Sequence, residues 1–138
     1  MTEESAGGLE ENILTFEDGI PGFPDHSRWV LVDPAQDSAF QILQSADDRD
    51  VAMIVTVPWL FFTDYSPELT DIEQRELEIE RPEDAVIFCP VTLGDDQDTI
   101  FINLLGPFVV NSRTRRGRQL VLSESGYPAR TQLSLAQT

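Results

Sequence analysis

The sequence predicts a mainly β fold: a partly closed antiparallel β-barrel or sandwich of about eight strands with one short helix. Three observations predict it. Short apolar runs recur along the chain with Gly, Pro and Asp clusters between them, the pattern of strands joined by turns. Only one stretch, "TDIE" at 70–73, carries a clear helix-start signal. The longest β-branched run is interrupted by Gly106-Pro107, and because proline cannot donate to a ladder, the strand is expected to bend there.

The elements follow in order. "NILTF" is the first apolar segment, and "EDGIPGFPD" at 17–25 forces a compact turn through its two prolines and two glycines. "SRWVLVD" (27–33) and "AFQILQS" (39–45) are strands, and "ADDRD" is an acidic turn. "VAMIVTV" (51–57) is apolar and β-branched, a central strand covered on both faces. After Pro58, "WLFFTDYSPEL" is an aromatic extended segment. A helix then begins at Thr70, whose hydroxyl can accept from the Glu73 N–H while Glu73 reaches back, and Pro82 stops it near Glu80. Its apolar stripe is thin, Ile72 and Leu77. "AVIFCPVTL" (85–93), "TIFINLLGPFVVN" (99–111) and "RQLVLS" (118–123) complete the strands.

At 138 residues, 41% of them hydrophobic, the chain suits one domain. The expected organisation is a flexible acidic leader over 1–11, a single β domain over 12–130 and a loose C-terminal tail over 131–138. The formal charge is −16 with no lysine, and it is unevenly spread. Residues 1–111 hold 24 acidic groups and four arginines, whereas 112–138 hold five arginines and Glu124. Such a surface repels phosphate backbones and speeds encounter with a basic partner. The lone Cys89 excludes an internal disulfide and fits a reducing compartment. No stretch reaches the ~18 apolar residues of a membrane span and the N-terminus has no apolar signal core, so the expected location is cytoplasmic, without membrane contact.

Little here resembles catalytic chemistry. His26 and Cys89 are single, so one chain cannot supply the usual zinc ligands, and Cys89 in an apolar strand is expected to be an inert core thiol. The carboxylate groups Asp47/Asp48, Asp95/Asp96/Asp98 and Glu83/Asp84 sit in turns, where solvation is the default; "DDRD" and "GDDQD" lack the ligand spacing of a calcium loop. No phosphate-binding glycine motif occurs. No catalytic residue, metal ligand or cofactor site is therefore assigned. A carboxylate-based hydrolase in a barrel mouth stands as one alternative function.

The exception to the acidic charge is "SRTRRGRQL" at 112–120, with Arg113, Arg115, Arg116 and Arg118 around Gly117. A nucleic-acid-binding barrel using Arg113 to Arg118 is the second alternative. Binders of that kind usually spread basic groups over a face and add stacking aromatics, and none interleaves here. The preferred reading is a β-hairpin turning at Arg116-Gly117. In "PWLFFTDY" (58–65), Trp59, Phe61 and Phe62 are expected to be core and Tyr65 a surface anchor.

Several segments together resemble one family. "LTFEDGIPGFPD", "WVLV", "ILQSADDRDVAMIVTVPWLFFTDYSPEL", "NLLGPFVVNSRTRRGRQLVL" and "YPAR" are similar, in order from about Leu14 to Arg130, to the bacterial flagellar assembly factor FliW family. The resemblance implies a non-enzymatic β-barrel-like regulator. Its implied partners are flagellin and, alternatively, the RNA-binding repressor CsrA, whose capture relieves repression of flagellin mRNA translation. It also implies that the arginine stretch belongs to the fold or to a protein contact and not to a nucleic-acid site. Arginine at every basic position of "TR-G-Q", where lysine is expected among relatives, keeps the charge but changes its geometry. The expected partner-contact edge is Asp64, Tyr65 and Glu68.

Overall fold

Apolar residues alternate along most of the predicted strands, and the pairing that results is one antiparallel sheet. The computed structural model describes residues 13–135 apart from 18, 21, 34–37 and 97, so the expected leader over 1–11 and the last residues of the tail lie outside it. Nine strands are described: β1 (Ile13–Thr15), β2 (Arg28–Val32), β3 (Phe40–Ser45), β4 (Ala52–Thr56), β5 (Ala85–Leu93), β6 (Thr99–Ile102), β7 (Phe108–Asn111), β8 (Gly117–Gln119) and β9 (Thr131–Ser134). One short helix, α1 (Asp71–Glu76), and two 3₁₀ turns, Pro58–Leu60 and Pro82–Asp84, sit between β4 and β5.

Strands β1 to β5 form a meander, and β5 is the branch point. Its first half pairs with β7, Ala85 opposite Asn111, and its second half with β6, Val91 opposite Ile102. The run 99–111 is thus two strands separated at Gly106-Pro107, as the glycine-proline pair requires. In the corner, the Asn103 N–H donates to Pro90 O at 3.0 Å and its side-chain oxygen accepts from Gly106 N–H at 2.8 Å. From the corner one limb continues to β8 and the other to β9. The sheet curls until the Thr15 N–H reaches Arg115 O at 2.8 Å, a single bridge between β1 and the approach to β8 that leaves the sheet unclosed.

Strand alternation builds two cores. Inside the curl lie Phe16, Trp29, Leu43, Val55, Phe88 and Phe108. On the outer face of β5 to β8, Cys89, Val91, Ile102, Val109 and Leu120 are covered by the 61–79 segment through Tyr65 and Leu77. Neighbours Phe88 and Cys89 serve opposite cores, as do Phe108 and Val109, which is why these strands read as nearly continuous apolar runs. In β4, Val55 faces the inner core while Ile54 packs against the outer one.

The compact turn at 17–25 depends on Gly19. Its φ is +73°, and a Cβ there would lie 2.6 Å from Pro24 O.

Four expectations change. Residues 131–134 are not loose: β9 pairs along β6, Ile100 opposite Leu133, with Leu133 and Leu135 packed on the outer core. A polar composition concealed an alternation whose partner edge is distant in sequence. The hairpin turns at 112–115 and not at Arg116-Gly117. Arg115 takes the left-handed conformation (φ 64°), whereas Gly117 lies buried in β8, where a Cβ would come within 2.8 Å of Val109 O. Strand β8 ends at Gln119, although Leu120 and Leu122 stay bonded to the corner through Pro107 O and Leu105 O. The helix is capped at Thr70 as expected but ends at Glu76; Ile72 is 62% exposed, so Leu77 alone of the stripe is buried.

Candidate functional site

Among the described residues, five carboxylates surround the arginine hairpin. Arg113 Nε lies 3.3 Å from Asp84 Oδ1, Nη2 lies 3.7 Å from Glu80 Oε2, and Nη2 also donates to Glu78 O at 2.8 Å. Arg116 pairs with Glu17 and, at 3.2 Å, with Glu78; Arg118 pairs with Glu76. The hydrogen bond and charge of Glu17 raise the affinity of Arg116 for its proton. The hairpin is therefore a clasp that joins the α1 connection and the 17–25 turn to the curled sheet.

Asn111 fixes the turn. Buried at the end of β7, it donates to Leu77 O at 2.7 Å and Glu78 O at 3.1 Å, and accepts from the N–H groups of Arg113 (2.8 Å) and Thr114 (3.2 Å). Asp84 departs from the solvated state expected for turn carboxylates: it is buried beneath Arg113. Burial pushes its carboxyl up, but the N–H groups of Glu80 and Arg81 and then the guanidiniums of Arg113 and Arg81 outweigh that and hold it below the usual range.

The aromatic segment also departs from expectation. Tyr65 is no surface anchor: it is 4% exposed, donates from its hydroxyl to Leu104 O at 2.6 Å, and its ring centroid lies 4.7 Å from that of Tyr127. A phenol that finds a buried acceptor can bring the whole ring inside, and no local sequence signal shows an acceptor 39 residues away. Trp59 is partly exposed and donates to Tyr65 O at 2.8 Å, Leu60 is 60% exposed, and Phe61 and Phe62 are half-buried against the outer core.

Asp64 and Glu68 are exposed, and Glu68 lines a groove of about 490 Å³. One wall is the chain before α1, including Ser66 and Leu69, with Glu73 from the first turn of α1; the other is the chain after β8, including Val121, Glu124 and Tyr127. The walls are joined by the Ser66 N–H, which donates to the Tyr127 hydroxyl at 2.8 Å. Glu68, Glu73 and Glu124 line this groove, and among the described residues no basic side chain does. The structure thus brings Glu68 to an acidic concavity with Tyr65 beneath it. Sequence reading missed the second wall, because "RQLVLS" looked like an ordinary closing strand. The signal was the alternation of Leu120 and Leu122 with Val121, which leaves Val121 facing out.

Catalytic chemistry finds little support in the geometry. Burial pushes the Cys89 thiol up to about 12, against a smaller opposing effect of the Tyr65 hydroxyl. Burial, followed by the influence of Cys89, likewise raises Tyr65. Among the described residues the two carboxyls with altered affinity, Asp84 and Asp96, are both lowered, Asp96 chiefly by the Thr99 hydroxyl; a general acid needs the opposite. Among the described residues no group of three or more His, Cys, Asp or Glu side chains could hold a metal ion, and no helix is long and apolar enough to cross a membrane.

Comparison with known proteins matches this architecture. The family model described as FliW protein covers residues 4–133. The flagellar assembly factor FliW of Caldicellulosiruptor saccharolyticus is 38% identical over 121 residues, spanning 88% of this chain and 79% of that protein. That of Clostridium kluyveri is 39% identical over 119 residues, spanning 86% and 82%. A crystal structure of the flagellar assembly factor FliW superposes with a TM-score of 0.82 at 30% identity, covering 91% of this chain and 86% of the other. With the sequence family and the branched, unclosed antiparallel sheet both matched over nearly its whole length, the chain belongs to the FliW family of flagellar assembly factors.

Proposed function

We propose that this chain acts by binding and not by turnover: it captures flagellin and, alternatively, a CsrA-type repressor, and capture of the repressor relieves repression of flagellin mRNA translation. Family membership over residues 4–133 is the observation that carries the reading. The physical features support a protein partner of basic character. The chain carries −16, and its acidic groove faces outward. Arg113, Arg116 and Arg118, three of the four arginines of the hairpin, are engaged by the chain's own carboxylates. A repressor that binds RNA must present basic surface, so an acidic partner finds it quickly. Two ligands drawing on one limited protein then couple flagellin level to translation. Such an exchange takes place in the cytoplasm, where both partners are made.

The test uses the purified chain with flagellin and the CsrA-type repressor of the same bacterium. Calorimetry is expected to give a stoichiometric complex with each, flagellin is expected to reduce capture of the repressor, and the repressor is expected to release its RNA when captured. Binding of neither partner at micromolar concentration in low salt overturns the proposal.

A further inference from the structure

The groove between the chain before α1 and the chain after β8 has a property that its acidity alone does not give. Leu120 N–H donates to Pro107 O at 2.8 Å and Leu122 N–H to Leu105 O at 2.9 Å, so both residues face the corner. The intervening Val121 therefore presents its N–H and carbonyl on the opposite side, where neither has a partner among the described residues, and the residue is 67% exposed. On the facing wall the Glu68 N–H is also without a partner among the described residues. Two extended segments thus flank a cavity with backbone donors and acceptors left open, which is the edge that strand addition uses.

We infer that this groove is a strand-addition site for an extended, basic segment of a protein partner. The inference rests on the proposed binding function and deepens it. Main-chain hydrogen bonds to Val121 supply attachment that any extended peptide can use, and the side chains around it select. Glu68 and Glu124 favour Lys or Arg and repel an acidic or phosphorylated segment. Glu73 already gives one carboxylate oxygen to the Thr70 N–H and presents the other. Leu69, Leu122 and Tyr127 provide apolar contact between the charges. At about 3.3 Å per residue an extended strand turns alternate side chains to the groove, so the basic residues that meet Glu68 and Glu124 lie an even number of positions apart in the fitting segment.

Isotope-labelled protein titrated with purified flagellin, and separately with the CsrA-type repressor, reads the site. With the partner that uses the groove, the amides of Glu68, Val121 and Ser123 are expected to shift. Exchange of the Val121 N–H is expected to slow by about tenfold or more as it gains an acceptor. Val121→Pro, which removes the donor, and Glu68→Lys or Glu124→Lys are each expected to weaken that complex by about tenfold. Asp95→Lys, the same charge change on another exposed turn, is expected to have little effect. The exchange measurement on the unaltered protein decides the matter even if Val121→Pro fails to fold. A complex whose shifts and protection lie on other surfaces overturns the groove and leaves the binding function standing; no complex with either partner overturns both.

Discussion

Asn111 and Cys89 show how much of this fold hangs on single buried side chains. Asn111 satisfies two carbonyls that leave α1 and two N–H groups that open the hairpin, so Asn111→Leu fills the space while orphaning Leu77 O and both N–H groups; Glu78 O keeps the Arg113 guanidinium. Some of them recover water, and the expected loss is about 2–3 kcal/mol, read as a lower urea midpoint with an unchanged slope. Cys89 acts through pH. Its folded affinity for a proton is raised, to a value of about 12, so the unfolded chain ionises first. The stabilising contribution is complete below the unfolded thiol's value of about 8.5 and is lost as pH rises toward the folded one, at no more than about 1.4 kcal/mol per pH unit. Urea unfolding between about pH 8 and 11 is expected to show a falling midpoint, and Cys89→Ala is expected to flatten the fall at its start. Tyr65, raised in the same direction, continues the loss above about pH 10 in both proteins. A slope identical in the two proteins from pH 8.5 upward would mean that Cys89 ionises as freely in the fold as outside it.

Among the elements, α1 is the weakest. Six residues cannot sustain a helix alone, and its own residues are not buried. It persists because Thr70 and Glu73 cap its start, while buried Leu77 and the Asn111 bonds to Leu77 O and Glu78 O hold its end. Thr70→Ala is expected to cost about 1 kcal/mol, and because the helix is attached at one end the effect is local. Hydrogen exchange of the Glu73, Gln74 and Leu77 amides should accelerate by about fivefold while β4 and β5 stay protected. The cap was legible in the sequence because a capping box is written in four consecutive residues. β5 was legible over its full span, Ala85–Leu93, because its apolar run is unbroken, and the bend at Gly106-Pro107 because proline forbids the ladder. What the sequence did not disclose has partners far along the chain. The carboxylates that engage Arg116 are Glu17, 99 residues away, and Glu78, 38 away; β9 needs the free edge of β6; Tyr65 needs Leu104 O. For the same reason half of the candidate site was visible: Glu68 follows the aromatic segment, but the wall that makes it a groove comes from beyond β8.

Across the whole molecule the charge separates two effects that salt moves in opposite directions. The chain carries −16, nearly all of its acidic groups precede residue 112, and Arg113, Arg116 and Arg118 are spent on internal pairs. A basic partner is therefore drawn in by a field that added ions screen, since the Debye length falls from about 10 Å at 0.1 M to about 3 Å at 1 M. The fold itself is under mutual repulsion among carboxylates, which the same ions relieve. The hairpin's ion pairs are at least partly solvated on the arginine side and contribute little for salt to remove. Raising salt from about 0.05 to 0.5 M is thus expected to slow association with the proposed partners by about tenfold or more, with a much smaller change in dissociation. Over the same range the urea midpoint of the free chain is expected to stay level or rise. Stopped-flow association and urea unfolding at the two salts check both halves. An association rate indifferent to salt would show that the acidic surface does not steer the encounter, and a falling midpoint would show that the arginine clasp stabilises the fold more than the repulsion strains it.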